Sequence, residues 1–364
     1  MGRAGLARWL AGAAGVSALG TIAGVTLARS MTRRAAIQDP YAGEDFETLD
    51  GDRSYLVTTP DGVPLAVREV GPTDAPLTVV FAHGFCLRMG AFHFQRMRLS
   101  DEWGPQVRMI FYDQRGHGRS GEAPPETYTV TQLGKDLETV LQVIAPHGPI
   151  VLVGHSMGGM TVLSHARQFP HHYGGRITGA ALIASAAEGV AKSPLGEILN
   201  NPALEAVRRA ARSAPKLVQR GRNVTRSVIG PILRAASYSD VNVSPSVVAF
   251  SEKMMLDTPI PTMVEFLRAL EVHDETAGLR TLTKIPTLIV CGDHDLLTPA
   301  EYSKRMADAL PDSELVIVGR AGHLVLLATP EPINDGLVRL VKRSTRSRFG
   351  ALSQRLRHRV RRHD

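Results

Sequence analysis

Cysteine is nearly missing from this chain of 364 residues: there are two, Cys86 and Cys291. Neither stands at a metal-ligand spacing, and the pair makes no disulfide framework. Cys86 reads as a buried structural thiol. The sequence also lacks a P-loop, a dinucleotide-binding turn, an internal repeat and a Pro-rich linker. The glycines of Asp113 to Ser120, DQRGHGRS, fit neither phosphate-cradling spacing. No cofactor and no metal are expected, and no fold signal points to nucleic acid.

Acidic residues are scarce at both ends. Residues 1–34 hold five arginines and no acid, and residues 342–364 hold nine Lys or Arg against Asp364. The ends contribute +5 and +8 to a formal net charge of +7, so the body between them carries −6. The basic balance belongs to the ends and says nothing of a substrate.

Charge is also absent from the twenty residues Trp9 to Ala28, bracketed by Arg3 and Arg8 before and by Arg29, Arg33 and Arg34 after. That length spans a hydrocarbon core. Its many Ala and Gly make it only moderately apolar, so a cleaved secretory signal and a soluble surface helix are its rivals. No small-x-small cleavage site precedes the basic cluster, which favours an uncleaved anchor. The tail Gln354 to Arg362, QRLRHRVRR, would draw an anionic leaflet at about 1 kcal/mol per cation. The stretch Ala203 to Arg234 adds eight Lys or Arg against one Glu. A membrane-associated protein is expected, with a cytoplasmic body favoured over a secreted one. A solvated tail or a nucleic-acid contact is the alternative for the basic run.

What is present is an alternation of apolar runs and helix-like segments. The strands expected are Leu77 to Ala82, Val107 to Tyr112, Ile150 to Val153, Gly179 to Ala184, Ile285 to Val290 and a run from Leu315. Helices are expected near Met89 to Leu99, over Val130 to Ile144 and from Ser156 onward. This order predicts an α/β fold, a mostly parallel sheet covered by helices on both faces. Ser54 to Thr58 and Leu65 to Val70, joined by Pro60-Asp61-Gly62, predict an antiparallel hairpin at its start.

About 100 residues separate Ala184 from Ile285, more than a strand-to-helix connection requires. They predict an inserted helical cap, with helical periodicity in Leu204 to Leu217 and in Pro261 to Val272. Its Phe250, Met254, Met255, Met263, Phe266 and Leu270 suit either an acyl-chain pocket or packing of the cap on the main body. The organisation expected is an N-terminal apolar segment over 1–34, a core over 35–186 and 281–341, the cap over 187–280 and a basic tail over 342–364.

Val151 to Gly159 reads VLVGHSMGG, an apolar run passing through a tight turn into a helix. Ser156 is placed there as a nucleophile on a strand-to-helix elbow, with Gly154 and Gly158 where a Cβ would collide with the neighbouring backbone. A serine hydroxyl needs an imidazole to take its proton and a carboxylate to orient that imidazole. Downstream, IPTLIVCGDHDLLTP (Ile285 to Pro299) ends in acids and LVIVGRAGH (Leu315 to His323) ends in a histidine.

From about Ser54 to Lys342 the chain resembles the α/β-hydrolase fold family, in its serine-nucleophile esterase and lipase-like members. The resemblance implies Ser156 as nucleophile and His323 as base. Gly292, Asp295 and Pro299 fit the family's pattern around the acid, which implies Asp295, with Asp293 as fallback. Leu77 to Phe85, LTVVFAHGF, resembles the oxyanion loop, so the backbone N–H groups of Phe85 and Met157 are the expected oxyanion donors. Asp113, Arg115, His117 and Arg119 are read as structural, since polar groups in a buried loop must find partners.

The expectation is a serine hydrolase that cleaves carboxylic esters through an acyl-enzyme on Ser156. Its substrate would be a small-molecule or lipid-like ester, and its partner a membrane surface. The fold and residues equally permit thioester, amide or carbon-carbon hydrolysis or perhydrolysis. The remaining alternative is a membrane-tethered binding protein without turnover.

Overall fold

The computed structural model describes residues 39–189, 237–238 and 243–360, with the side chains of the last helix described as far as Arg346. The segment Trp9 to Ala28 and the periodic stretch Leu204 to Leu217 lie outside the described residues. Among the described residues no helix is long and apolar enough to cross a membrane.

Eight strands form one sheet: β1 (Arg53–Thr58), β2 (Pro64–Val70), β3 (Leu77–Ala82), β4 (Val107–Tyr112), β5 (Ile150–His155), β6 (Ile177–Ile183), β7 (Thr287–Gly292) and β8 (Glu314–Val318). The α-helices are α1 (His93–Trp103), α2 (Val130–Ile144), α3 (Met157–Gln168), α4 (Pro245–Asp257), α5 (Ile260–Glu271), α6 (Thr276–Leu282), α7 (Ala300–Asp308), α8 (Val325–Ala328) and α9 (Pro330–Val360).

The strand order is β1-β2-β4-β3-β5-β6-β7-β8. β1 and β2 form the expected antiparallel hairpin, with Thr58 opposite Pro64. β2 runs antiparallel to β4, and every later pairing is parallel. The runs read as buried strands are buried along their whole length in β3, β5, β6 and β7. This is what helices on both faces impose on a parallel sheet.

Alternation along each strand divides the core in two. Val80, Ala82, Ile110, Tyr112 and Leu152 pack with Leu137 and Leu141 of α2, Val162 and Leu163 of α3, and Leu279 of α6. Phe81 and Phe111 turn the other way, stacked with ring centroids 4.5 Å apart and with Phe92 against them.

The helix expected near Met89 to Leu99 begins instead as a 3-10 turn, Met89–Phe92, and α1 then runs on to Trp103. Gly104, at φ +50°, ends it. The last helix crosses the boundary drawn at 341/342 and continues without a break to Val360. Leu337, Leu340 and Ser344 of that helix are buried, and Arg339 pairs with Glu314 at 2.7 Å.

Backbone contacts divide the described residues into two units, one comprising residues 39–44 and 243–248 and the other comprising the rest. In the smaller unit the Asp39 carboxylate accepts from the hydroxyls of Ser244 and Ser246 and from the Ser246 N–H. Those bonds, Ser244 foremost, lower its pKa.

In the larger unit, strand order reverses beside β3, whose neighbours are β4 on one side and β5 on the other. In open α/β sheets a crevice forms outside the carboxyl ends of the strands at such a point. β3 ends into His83-Gly84-Phe85 and β5 into Ser156.

Candidate active site

The turn after β5 is tight because its glycines permit it. A Cβ on Gly154 would lie 2.3 Å from the carbonyl oxygen of Gly158, and one on Gly158 would lie 1.9 Å from that of Ala82. Ser156 has φ +53°, a region most side chains avoid. Its N–H donates to the Ile183 carbonyl at 2.8 Å, and its own carbonyl accepts from the Ser185 hydroxyl at 2.8 Å. The end of β6 and the turn after it thus hold the strained residue in place.

Three residues far apart in sequence meet there. The Ser156 hydroxyl donates to Nε2 of His323 at 2.8 Å, and Nδ1–H of His323 donates to Oδ2 of Asp295 at 2.8 Å. All three residues are buried. Oδ1 of Asp295 also accepts from the N–H groups of Leu297 and Thr298, and Oδ2 from the Thr298 hydroxyl, each at 2.8 Å. Burial pushes the Asp295 pKa up, but the His323 charge and hydrogen bond and the Thr298 bonds outweigh it, so the net shift is downward. Asp293, the fallback acid, is exposed, and Asp295 alone of the two bonds to His323.

The register of β3 against β5 brings two backbone donors to the same corner. Ala82 pairs with Gly154, and Phe85 and Met157 each follow three residues later. Among the described residues, neither the Phe85 nor the Met157 N–H has an acceptor. Met157 opens α3, where orphan N–H groups and the helix dipole favour negative charge.

Buried histidines brace the loop after β3. His117 donates from Nδ1 to the Arg115 carbonyl at 3.0 Å and accepts the Cys86 N–H on Nε2 at 3.2 Å. Burial lowers its pKa to about 4, so this acceptor stays free of a proton. Cys86 sits at φ +57°. His83 accepts from the Gln114 N–H at 2.9 Å. Burial, with His117 and His155 nearby, drives its pKa well below the ordinary histidine value.

Asp113, Arg115 and His117 are buried and partnered as expected, whereas the Arg119 side chain is exposed and pairs with Asp50. The Asp113 carboxylate accepts from the N–H groups of Met89 and Arg119 at 2.7 and 2.8 Å. Burial overrides those bonds and raises its pKa to about 6. Arg115 is fully buried and paired with Asp136 and Asp61.

A cleft opens on Ser156 and His323, lined chiefly by apolar groups such as Phe85, Met160, Leu297, Leu270, Leu267 and Met255. Met255 and Leu270 are therefore pocket residues, whereas Phe266 packs against Tyr128 and His117 and Phe250 stacks on Phe46. The cap's apolar residues are thus divided between lining the cleft and packing on the main body. Cys86 and Cys291 are buried and free. Among the described residues no three His, Cys, Asp or Glu side chains converge as metal ligands.

Two neighbours of the site carry no assignment from sequence reasoning: Thr298, which bonds Asp295 from three positions on, and His155, whose ring lies 5.1 Å from that of His323. The signal for His155 was a lone polar ring in an apolar run, since a buried polar group needs a partner.

The family model for the alpha/beta hydrolase fold matches residues 78–330. The chain is 26% identical over 278 residues to the proline iminopeptidase PfmaB of Pestalotiopsis fici, covering 73% of this chain and 91% of that protein. It is 27% identical over 268 residues to the monoacylglycerol lipase of Mycolicibacterium smegmatis, covering 72% of this chain and 81% of the lipase. Among solved structures, a thermophilic esterase from Thermogutta terrifontis superposes with a TM-score of 0.64 at 26% identity, covering 80% of this chain and 99% of the esterase.

Proposed function

This chain belongs to the α/β-hydrolase fold family and is a hydrolase, and from that premise we propose that it is a serine esterase acting through an acyl-enzyme on Ser156. The observation that carries this reading is the unbroken Ser156–His323–Asp295 hydrogen-bond chain beside two main-chain N–H groups that have no acceptor among the described residues.

Nε2 of His323 takes the proton from Ser156 Oγ as that oxygen attacks the ester carbonyl. Asp295 holds the imidazolium so formed, and the Phe85 and Met157 N–H groups receive the developing oxyanion. Collapse of the tetrahedral intermediate expels the alcohol, which takes the proton from His323. Water, deprotonated by His323 in turn, then releases the carboxylic acid. Loss of one oxyanion donor would cost about 2.7 to 4 kcal/mol in the barrier.

The apolar lining of the cleft supports a lipid-like or acyl-chain ester as substrate. An aminopeptidase reading, suggested by the relation to a proline iminopeptidase, requires a partner for a free ammonium group. The described lining residues include no carboxylate. The apolar segment 9–28 and the basic C-terminal stretch support attachment to an anionic membrane surface.

Full-length protein assayed with p-nitrophenyl esters of graded acyl length is expected to work best on medium or long chains. Ser156→Ala is expected to abolish that turnover together with labelling by a serine-directed phosphonate. Faster release from an N-terminal prolyl anilide than from any ester, or labelling that survives the substitution, would refute the assignment. Co-sedimentation with anionic but not neutral vesicles tests the membrane attachment.

A further inference from the structure

His155 precedes Ser156 at the end of β5 and is wholly buried. Its Nε2 lies 3.1 Å from the main-chain carbonyl oxygen of His323. A carbonyl only accepts, so the proton sits on Nε2 and Nδ1 is left bare. Among the described residues Nδ1 has no partner. It lies against Gly84 so closely that a Cβ there would fall 2.7 Å from it. One ring therefore touches three pieces of the corner: the strand that carries Ser156, the loop that leads to Phe85, and the loop that carries His323.

Packing alone is a poor account of an imidazole here. A bare ring nitrogen out of reach of water carries a desolvation cost that a phenyl ring of similar shape would not incur. What the imidazole supplies is the Nε2–H donor. That donor meets the main chain of the same residue whose side chain is held by Asp295 at 2.8 Å. His323 is thereby gripped at both ends, and its remaining nitrogen faces the Ser156 hydroxyl. Burial and the neighbouring His323 lower the His155 pKa to about 3, so the donor arrangement is constant across the neutral range.

We propose that His155 is a positioning residue, whose Nε2–H bond to the His323 carbonyl holds the His323 imidazole in line with Ser156. The proposal rests on Ser156, His323 and Asp295 acting together as described above.

Two full-length variants test it. In His155→Gln the side-chain amide nitrogen takes the place of Nε2 and keeps the donor. In His155→Phe the ring remains and the donor is gone. The Gln variant is expected to keep kcat within about threefold. The Phe variant is expected to lose about 10- to 100-fold in kcat at unchanged KM, since a misplacement near 1 Å costs about 10²-fold. In proton NMR the low-field resonance of the His323 Nδ1–H on Asp295 is expected in the wild type and the Gln variant, and weakened or lost in the Phe variant.

A folded Phe variant with wild-type kcat and an intact resonance overturns the proposal, as does a Gln variant as impaired as the Phe one. Nitrogen-15 NMR of the wild type gives an answer that needs no variant: Nε2 protonated with Nδ1 bare supports the arrangement, and the opposite tautomer overturns it. If the wild type hydrolyses no ester while the resonance follows the donor as expected, the esterase reading fails and the positioning role stands.

Discussion

Two buried polar clusters lie near the carboxyl end of the sheet, one around Arg115 and one around Ser156, and they differ in what they leave unpaired. The Arg115 guanidinium donates to Asp136 through Nε at 2.6 Å and Nη2 at 2.7 Å, to Asp61 through Nη1 at 2.9 Å and Nη2 at 3.2 Å, and to Thr127 through Nη1 at 2.8 Å. All five of its N–H donors are thus taken. Beside Ser156 the side chains of Ser156, His323 and Asp295 are joined end to end, yet among the described residues two main-chain donors have no acceptor, and the serine itself holds a strained φ. Burial and hydrogen bonding are common to both clusters. Donors left open, together with stored strain, are what set a reactive corner apart from a structural knot.

Substitutions can pull the two clusters apart. The largest effect is expected from Asp295→Asn, which leaves the shape but removes the charge that orients His323. A drop of about 10⁴-fold in kcat is expected, with thermal stability nearly unchanged. Arg115→Met should do the reverse. It strands Asp136 and Asp61, lowering stability by about 3–5 kcal/mol in denaturant titrations while the folded fraction keeps its kcat. Comparable kcat losses in both variants would erase the distinction.

His117→Gln sharpens the comparison on the pH axis. Once unfolded, this histidine takes up a proton below about pH 6.5, whereas the folded protein withholds one until about pH 4. Its burial therefore makes stability fall as pH is lowered through that window, by about 3 kcal/mol at most. The Gln variant keeps an acceptor for the Cys86 N–H, and its melting temperature is expected to decline less between pH 6.5 and 4. Asp293→Asn should have the smallest effect, leaving kcat within about twofold because that carboxylate is exposed.

Much of this arrangement was legible in the sequence. Buried parallel strands are nearly continuous apolar runs, so the bounds of β3 and β4 follow from those runs and those of α2 from its helical periodicity, and the elbow glycines announce a turn that no larger residue could make. Contacts across the chain were harder to see. Nothing local to His155 reveals that its partner is a carbonyl 168 residues away. Likewise, the division of the cap's apolar residues between cleft and packing depends on which helix face meets the sheet. The span of α9 was hidden for another reason: its charges mark a solvated stretch whether or not the backbone beneath them is helical.

The two open donors after β3 and β5 have a consequence for how such a protein can change. Both belong to the main chain, and their spacing is inherited from the pairing of Ala82 with Gly154. Apart from proline, any residue at 85 or 157 leaves an N–H in place, so drift there reshapes the cleft wall without withdrawing the seat for negative charge. Met255, Leu267 and Leu270, on helices outside the sheet, are free to be rewritten for a different ligand. The reaction can thus be handed down intact while its clientele turns over.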